Sequence, residues 1–497
     1  MGQHARRTNG SWHWLALRAL GVGAGLAVAA FLGRWLFLSL RRVSLHATPY
    51  TTPPIGPELI APRMRRLVLS DLHLGGGDRL DDFDDDDALI SFVDGYARGA
   101  EPTELILAGD TVEFLQVRLP QLDDDEYSDA AAALRIAQVI RAHAGVFAAL
   151  ARFIADPGNL ITLLIGNHDF ELHFPAAKAA FAAALGVTLD DPRLRFGVSY
   201  SGGGVYIVHG NQFDGWNRFL NFDSISEPFE VVRGTQLVKE VINDLEDDPL
   251  PIAHLIDNVK PTSAFFWYLV SLPRLRIPAA RRFTTRGIAG FLQVVAWPTP
   301  HQMPITGRGP GGPLSSPALR WLWGWVASIR RGRVARNREV ARQVGEVAGA
   351  VEPPGEVIEV IDQVQSEARL QTEREVRAFN DRFTREMRQI ARSPAHRSDT
   401  LFVCGHTHLA RMVPLGHGQL YINTGTWIEI VYDVATMRRQ DQRFPFLEIT
   451  YPDGAVPIGR LLVWIADDAP QTWREGHLLT RAERRGLSSP QGSADRV

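Results

Sequence analysis

The sequence has a single cysteine, Cys404, among 497 residues. One cysteine excludes an intramolecular disulfide and any zinc site built on a cluster of cysteines. It leaves the compartment open, because a periplasmic protein can also lack disulfides. A metal site in this chain must therefore be built from Asp, Asn, Glu and His side chains.

The sequence also lacks an excess of charge of either sign. Lys and Arg number 53 against 56 Asp and Glu, so the formal net charge is −3. This balance excludes binding to nucleic acid through overall positive charge, and no nucleic-acid partner is expected. Hydrophobic residues make up 45% of the chain, which is too apolar for global disorder. At roughly 150 residues per domain, the length predicts about three structural units.

An uncharged run, residues 19–33, lies near the N-terminus. At ~1.5 Å per residue it gives a helix of roughly 22 Å, shorter than the ~30 Å hydrocarbon core of a bilayer. Extension of this run to Leu40 lengthens the helix and includes one arginine, Arg34, whose side chain can reach the membrane–water interface. We expect residues 1–42 to form a membrane-associating helix, with residues 12–40 contacting the cell membrane on a side that the sequence leaves open. A cleaved signal peptide and a soluble helix are the alternatives.

The rest of the chain divides by composition. Residues 43–62 are rich in Pro and Thr and are predicted to be a linker. Residues 63–215 and 396–468 contain short apolar runs that alternate with helical stretches, a pattern typical of α/β proteins. Residues 216–395 are predicted to be a mainly helical cap insertion, and the polar residues 469–497 a disordered tail.

Eight apolar runs are predicted to be strands, and one long stretch, Ala130–Ala155, is predicted to be a helix because apolar residues recur at helical spacing. The predicted strands are Arg66–Ser70, Glu104–Ala108, Leu160–Ile165, Val205–Val208, Thr400–Val403, Gln419–Asn423, Phe446–Tyr451 and Arg460–Ile465. The acidic run within residues 81–87 lacks the Gly and Glu of a calcium-binding loop, so we interpret it as the first turn of a helix, Ala88–Arg98.

Side chains that bind metals follow five of the predicted strands. They are Asp71 and His73, Asp110, Asn167 with His168 and Asp169, His209, and His406 with His408. In open α/β sheets, binding sites form outside the carboxyl ends of the strands. Oxygen and imidazole ligands suit Mn, Fe, Zn or Ni, and they are too many for one tetrahedral ion. They suit two divalent ions ~3.5–4 Å apart with a bridging carboxylate.

The ordered motifs DLH, GD, GNHD, HG and GHTH resemble those of the calcineurin-like metallophosphoesterase superfamily, over roughly residues 65–215 and 396–468. The resemblance implies a four-layer α-β-β-α sandwich. It also implies the site residues. One ion would be held by Asp71, His73 and His408, the other by Asn167, His209 and His406, with Asp110 bridging. His168 would be the catalytic histidine and Asp169 would orient it.

The resemblance implies hydrolysis of a phosphoester or phosphoanhydride by in-line attack of a metal-bridging hydroxide. The N-terminal segment favours a lipid- or nucleotide-linked substrate at a membrane. There is a distant similarity to enzymes that cleave UDP-2,3-diacylglucosamine, but those have Arg where this chain has His168, and a shorter insertion. A soluble-substrate phosphodiesterase and a phosphoprotein phosphatase are alternative enzymes. A non-catalytic scaffold with this fold is the alternative of another class.

Other polar residues near the motifs are candidates for weaker roles. Asn211 and Asp214 follow His209 closely, so we expect them to contact substrate or to support the metal ligands. His173 and His417 follow motif segments and are the histidines outside the motifs most expected to approach the site.

Overall fold

The computed structural model describes residues 45–60, 63–99, 101–246, 282–290, 382–433, 438–439, 443–452, 456–466 and 468–474. Three predicted features lie outside these residues: the membrane-associating segment 12–40, most of the cap insertion, and the tail from residue 475. Within the part of the chain that the structure describes, no single helix is long and apolar enough to cross a membrane.

The strands carry the labels β1 to β16 in chain order. They are β1 His46–Thr51, β2 Arg65–Leu69, β3 Thr103–Ala108, β4 Leu160–Leu164, β5 Leu194–Gly197, β6 Tyr200–Gly202, β7 Val205–Ile207, β8 Ser224–Glu227, β9 Leu401–Cys404, β10 Arg411–Gly416, β11 Gln419–Asn423, β12 Val431–Asp433, β13 Arg438–Arg439, β14 Pro445–Thr450, β15 Ile458–Val463 and β16 Gln471–Thr472. The predicted strands are all present, to within two residues at each end.

The α-helices carry the labels α1 to α6. They are α1 Asp86–Ala97, α2 Asp129–Ala142, α3 Ala144–Ala155, α4 Pro175–Ala184, α5 Arg233–Leu237 and α6 Asn243–Glu246, with a π-helical segment, Val238–Ile242, joining the last two. Residues 282–290 and 382–392 are also helical. Short 3-10 helices lie at Pro57–Leu59, Phe170–His173 and Asn211–Phe213.

Two large sheets pack face to face. The first has seven strands in the order β16-β15-β14-β2-β3-β4-β5, and the second has five in the order β10-β11-β9-β7-β6. Strands β2 to β5 run parallel to one another, and so do β7, β9 and β11. The apolar sequences of β2, β3 and β4 are typical of parallel strands that are buried on both faces.

Successive side chains of each strand point to opposite faces and build separate cores. Val68 and Ile106 of the first sheet pack with Val403 and Ile422 of the second, between the sheets. Leu67, Leu105 and Leu163 pack on the other face of the first sheet, against the helices α1 to α4. Phe383 and Met387 of the helix 382–392 pack on Phe402 and Cys404, on the outer face of the second sheet. The α/β class is confirmed, and the described layers run helix, sheet, sheet, helix.

The predicted linker, residues 43–62, is wrong for most of its length. Strand β1 pairs with β8 in antiparallel orientation, and Ile55 is buried in the core between the sheets. The hydroxyl of the buried Thr52 bonds to Lys178 Nζ at 2.6 Å and to His173 Nδ1 at 2.9 Å. A two-stranded ribbon tolerates Pro and Thr, so composition did not reveal this strand.

Other predicted boundaries also move. The predicted helix Ala130–Ala155 is two helices, α2 and α3, bent by 92°, and only as a pair do they meet the length and composition of a membrane span. The break falls at His143, whose ring bonds to Asp81 and Asp86. At the predicted tail, β16 pairs with β15 and Trp473 is buried.

The first residues of the predicted cap belong to the core. Phe219, Ile225 and Val232 lie in the same apolar cluster as the helices of the first sheet. The helical segment 233–246 then lies on the loop after β3, where Asn243 Nδ2 donates to Leu115 O at 3.1 Å. The boundary at residue 215 is therefore wrong, because the chain continues to bury apolar side chains in the core beyond it.

Candidate metal centre

The candidate ligands lie at one edge of the two sheets. Asp71 follows β2, Asp110 follows β3, Asn167 follows β4, His209 follows β7 and His406 follows β9. These strands run parallel within each sheet, and the sheets face each other, so their carboxyl ends bring these side chains together. The backbone bends sharply there. The positive φ angles are 54° at Asp71, 52° at His73, 50° at Asp110, 67° at His406 and 60° at His408.

Two glycines allow this close approach. A Cβ at Gly166 would lie 2.2 Å from Asp110 Oδ1, and a Cβ at Gly405 would lie 2.2 Å from Asp71 Oδ2. Any side chain at either position would therefore displace a carboxylate of the centre.

The ligand atoms form two groups. Asp71, His73 and His408 place one atom each within 4.8 Å of one another, and so do Asp110, His209 and His406. His408 Nε2 lies 3.4 Å from Asp71 Oδ1 in the first group, and His209 Nε2 lies 3.0 Å from Asp110 Oδ2 in the second. His73 Nε2 lies 3.9 Å from the same Asp110 oxygen. Asp110 therefore faces both groups.

Two buried polar atoms of the predicted second ligand set fit a cation. Among the residues that the structure describes, Asn167 Oδ1 and His406 Nδ1 are buried and have no hydrogen-bond partner. A buried polar atom left without a partner costs about 1–3 kcal/mol, so such atoms need an explanation. A bound divalent ion would supply one, because both atoms are lone-pair donors of the type that binds Mn, Fe, Zn or Ni.

The buried carboxylates of the centre also favour positive charge close to them. Burial alone would raise the pKa of the Asp110 carboxyl, but His209 and His168 hold that pKa well below its ordinary value. Burial raises the pKa of the nearby Asp71. Burial alone would lower the pKa of His209, but Asp110 and Asp71 raise it to about 9. The carboxylates thus favour positive charge at this position, which a bound divalent ion would also supply.

Glu113 was missed by sequence reasoning. Its Oε2 lies 3.0 Å from His73 Nδ1 and 2.5 Å from His168 Nδ1, and its Oε1 accepts the backbone N–H of Leu115 at 2.7 Å. Burial alone would raise the pKa of Glu113, but the hydrogen bonds and charge of His168 and His73 lower it to about 2. An ionised carboxylate can only accept hydrogen bonds, so both Nδ1 atoms carry a proton. Nε2 of His73 then presents its lone pair to the first group.

His168 lies at the opening of the centre. Its side chain is 17% exposed, against 5% for His73 and 0% for His209. Its backbone N–H donates to Asp110 Oδ1 at 2.8 Å, so Asp110 holds this residue as well as facing both groups. His168 can also join His73 and Asp110 in a third group of candidate ligand atoms.

The expected role of Asp169 does not match its contacts. Its carboxylate accepts the backbone N–H of Gly166 at 2.6 Å and of Thr111 at 2.8 Å. Burial, together with the charge of Asp110, raises the pKa of Asp169 to about 7. Asp169 therefore ties the loop after β4 to the loop after β3, whereas Glu113 orients His168. The position of Glu113, three residues after Asp110 in the sequence GDTVE, was the available signal.

The weaker candidates, Asn211, Asp214, His173 and His417, differ in what they contact. Asp214 Oδ2 lies 3.2 Å from His406 Nε2, so it contacts a ligand-type side chain directly. Asn211 Nδ2 donates to Asn217 O at 3.0 Å, and its contact with substrate stays a prediction. His173 bonds to Thr52 and to the carbonyl of Phe222, and burial lowers its pKa to about 3. His417 lies in the turn between β10 and β11.

Comparison with known proteins agrees with this geometry. Residues 64–266 match the family model of the calcineurin-like phosphoesterases. The match includes the strand ends that carry Asp71, Asp110, Asn167 and His209, and it confirms the resemblance seen in the motifs. No curated protein matches the chain.

Proposed function

From the calcineurin-like phosphoesterase domain of this chain, we propose that the protein hydrolyses a phosphoester or phosphoanhydride with the help of two divalent metal ions. The observation that carries the proposal is the pair of ligand groups that Asp110 faces, with His168 at their opening. A domain of this family is a metal-dependent hydrolase, and the proposal specifies the number of ions and the role of each side chain.

The ligand sets follow from the two groups. Asp71, His73 and His408 would hold one ion. Asn167, His209 and His406 would hold the other, and Asp110 would contact both. Bound divalent ions supply positive charge that stabilises the phosphoryl group and lowers the pKa of nearby water.

His168 is proposed to give a proton to the leaving oxygen. Glu113 keeps the Nδ1 proton of His168 in place, so the proton that can be transferred is the one on Nε2. The same contact with the carboxylate of Glu113 fixes the orientation of the ring. The partial exposure of His168 gives a substrate access to it, whereas the ligand histidines behind it are more deeply buried.

The proposed substrate is lipid-linked or nucleotide-linked and is presented at a membrane. Support for this part is the apolar run at residues 19–33, which would keep the enzyme close to lipid. A tethered hydrolase meets a membrane-bound substrate at a much higher effective concentration than a soluble enzyme does.

The proposal is tested by a turnover screen with metal analysis of the same preparation. The purified full chain is loaded with Mn²⁺ and given bis-p-nitrophenyl phosphate, phosphomonoesters, nucleotide sugars and phospholipids. We expect hydrolysis of at least one class and two ions per chain. If metal-loaded protein turns over none of them, the chain is a binding scaffold with this fold.

A further inference from the structure

One loop contacts two of the residues that are proposed to hold the second ion, His406 and Asn167. We call residues 214–217 the support loop. Asp214 Oδ2 lies 3.2 Å from His406 Nε2 and accepts a hydrogen bond from Asn217 Nδ2 at 2.7 Å. Asn217 Oδ1 in turn accepts from Asn167 Nδ2 at 3.5 Å. The loop therefore joins an imidazole from the second sheet to an amide from the first.

These contacts decide which atom each ligand turns towards the centre. A carboxylate at Nε2 of a neutral imidazole requires the proton there, which leaves the lone pair on Nδ1. The acceptor at Asn167 Nδ2 likewise leaves the carbonyl oxygen, Oδ1, directed away from the loop. Within the described part of the chain, these two atoms, His406 Nδ1 and Asn167 Oδ1, are buried without a hydrogen-bond partner.

The support loop is itself held by its neighbours. Asp214 Oδ1 accepts the backbone N–H of Trp216 at 3.0 Å, and the carbonyl of Trp216 accepts the N–H of Gly234 at 2.8 Å. A Cβ at Gly234 would lie 1.8 Å from Asn217 Oδ1. Only glycine at this point of α5 allows Asn217 to occupy its place.

We propose that the support loop, seated on Gly234, sets the affinity of the second ion site by fixing the orientation of His406 and Asn167. The inference rests on the proposed two-ion function. Asp214 and Asn217 are positioning residues, because they act through His406 and Asn167. The start of the region predicted to be a cap is then part of the metal centre.

The test measures ion binding, so it does not depend on the activity of the loaded enzyme. The full chain, stripped of metal, is titrated with Mn²⁺ by calorimetry, and its electron paramagnetic resonance spectrum is recorded at each step. In Asp214→Ala and in Gly234→Ala we expect the second ion to bind roughly 10–100-fold more weakly, the range found when partners of metal ligands are removed. The first ion should bind as before. The spin-coupled signal of an Mn²⁺ pair should give way to that of isolated Mn²⁺.

Two matched controls separate this effect from general damage. Asp399 is as buried as Asp214, at 8% exposure, and its carboxylate also pairs with a histidine, His396 Nδ1, at 2.9 Å. Asp399→Ala should leave both ions bound. Gly145→Ala places a methyl group in another helix, where it meets only the flexible end of Ile90. Alanine has a higher helix propensity than glycine, so neither substitution should weaken its helix. A loss of metal in Gly234→Ala would therefore come from the clash of the new methyl group with Asn217.

The outcomes separate the inference from the function on which it rests. Wild-type protein that binds fewer than two ions contradicts the proposed function. Wild-type protein that binds two ions, with the same affinities in both support-loop variants, overturns the inference alone. If circular dichroism shows that Asp214→Ala does not fold, the affinity of the second ion in Asp214→Asn and Gly234→Ala tests the inference instead. The amide oxygen introduced by Asp214→Asn can still accept from His406 Nε2, so this variant should lose less affinity than Gly234→Ala.

Discussion

Replacing Glu113 by glutamine changes the charge of one side chain but hardly its shape. The carboxylate makes four contacts: Oε2 with His73 Nδ1 and His168 Nδ1, and Oε1 with the backbone N–H of Leu115 and Gln116. A glutamine has a single acceptor oxygen, and its amide nitrogen only donates. If the oxygen stays with the backbone N–H groups, the NH₂ faces two imidazoles that previously donated to this position.

The substitution should therefore damage both imidazoles. The ring of His73 must move its proton to Nε2, which removes the lone pair from the first ion, and the ring of His168 loses its charged partner. A hydrogen bond to a charged group contributes about 1.5–3 kcal/mol to the stability of the fold. The two bonds from His73 and His168 to Glu113 together contribute roughly 3–6 kcal/mol. We expect kcat to fall by about 10²–10⁴, the range of general acid catalysis, and the first ion to bind roughly 10–100-fold more weakly.

The measurement is kcat for bis-p-nitrophenyl phosphate, with metal content determined on the same sample. Glu230→Gln is the matched control, because Glu230 is also 2% exposed or less and also accepts two backbone N–H groups, those of Leu220 and Asn221. A Glu113→Gln protein that keeps two ions and a kcat within about threefold of wild type would refute the role given to this carboxylate.

Three further results are expected. His168→Ala should lower kcat by about 10²–10⁴ and leave the metal content unchanged; loss of an ion on elemental analysis would make His168 a ligand instead. Deletion of residues 1–42 should move the protein from the membrane to the soluble fraction and leave turnover of a soluble ester intact, whereas continued membrane binding would assign the anchor to the insertion. Burial alone would lower the pKa of His143, but hydrogen bonds to Asp81 and Asp86 raise it to about 9. The contribution of His143 to the free energy of unfolding should be complete below about pH 6.5, the pKa of the unfolded residue, and should be lost as the pH rises through 9. The free energy of unfolding should fall over this range by at most ~1.4 kcal/mol per pH unit. Urea unfolding of His143→Gln should lack this slope, and an unchanged slope would show that another group causes it.

Sequence patterns predicted the residues that sit directly after strands. Asp71, Asp110, Asn167, His209 and His406 each follow an apolar run, and the rule that parallel strands end at one edge is enough to bring them together. Glu113 and Asp214 were harder to place, because their partners are far away in the sequence or depend on the path of a loop. Glu113 is 55 residues from His168, and Asp214 is 192 residues from His406.

The predicted bounds of the linker and of the helix Ala130–Ala155 were wrong for a different reason. Residues 46–51 form a strand only because β8 pairs with them from a distant part of the chain, and no local pattern contains that partner. The break at His143 likewise depends on Asp81 and Asp86, which lie before α1 and within it. Local periodicity continues through such a break, since α2 and α3 are each amphipathic.

The left-handed backbone at the ligand positions has a thermodynamic consequence. This conformation costs roughly 1–2 kcal/mol for each non-glycine residue, although Asp and His tolerate it better than bulky residues. These bends directly follow strands whose side chains are buried between the sheets and under the helices, so the packing of the sandwich holds the ligand positions in this conformation. The hydrophobic cores thus offset the strain of the ligand positions, and a cation that binds the folded chain should raise the resistance of the whole fold to heat.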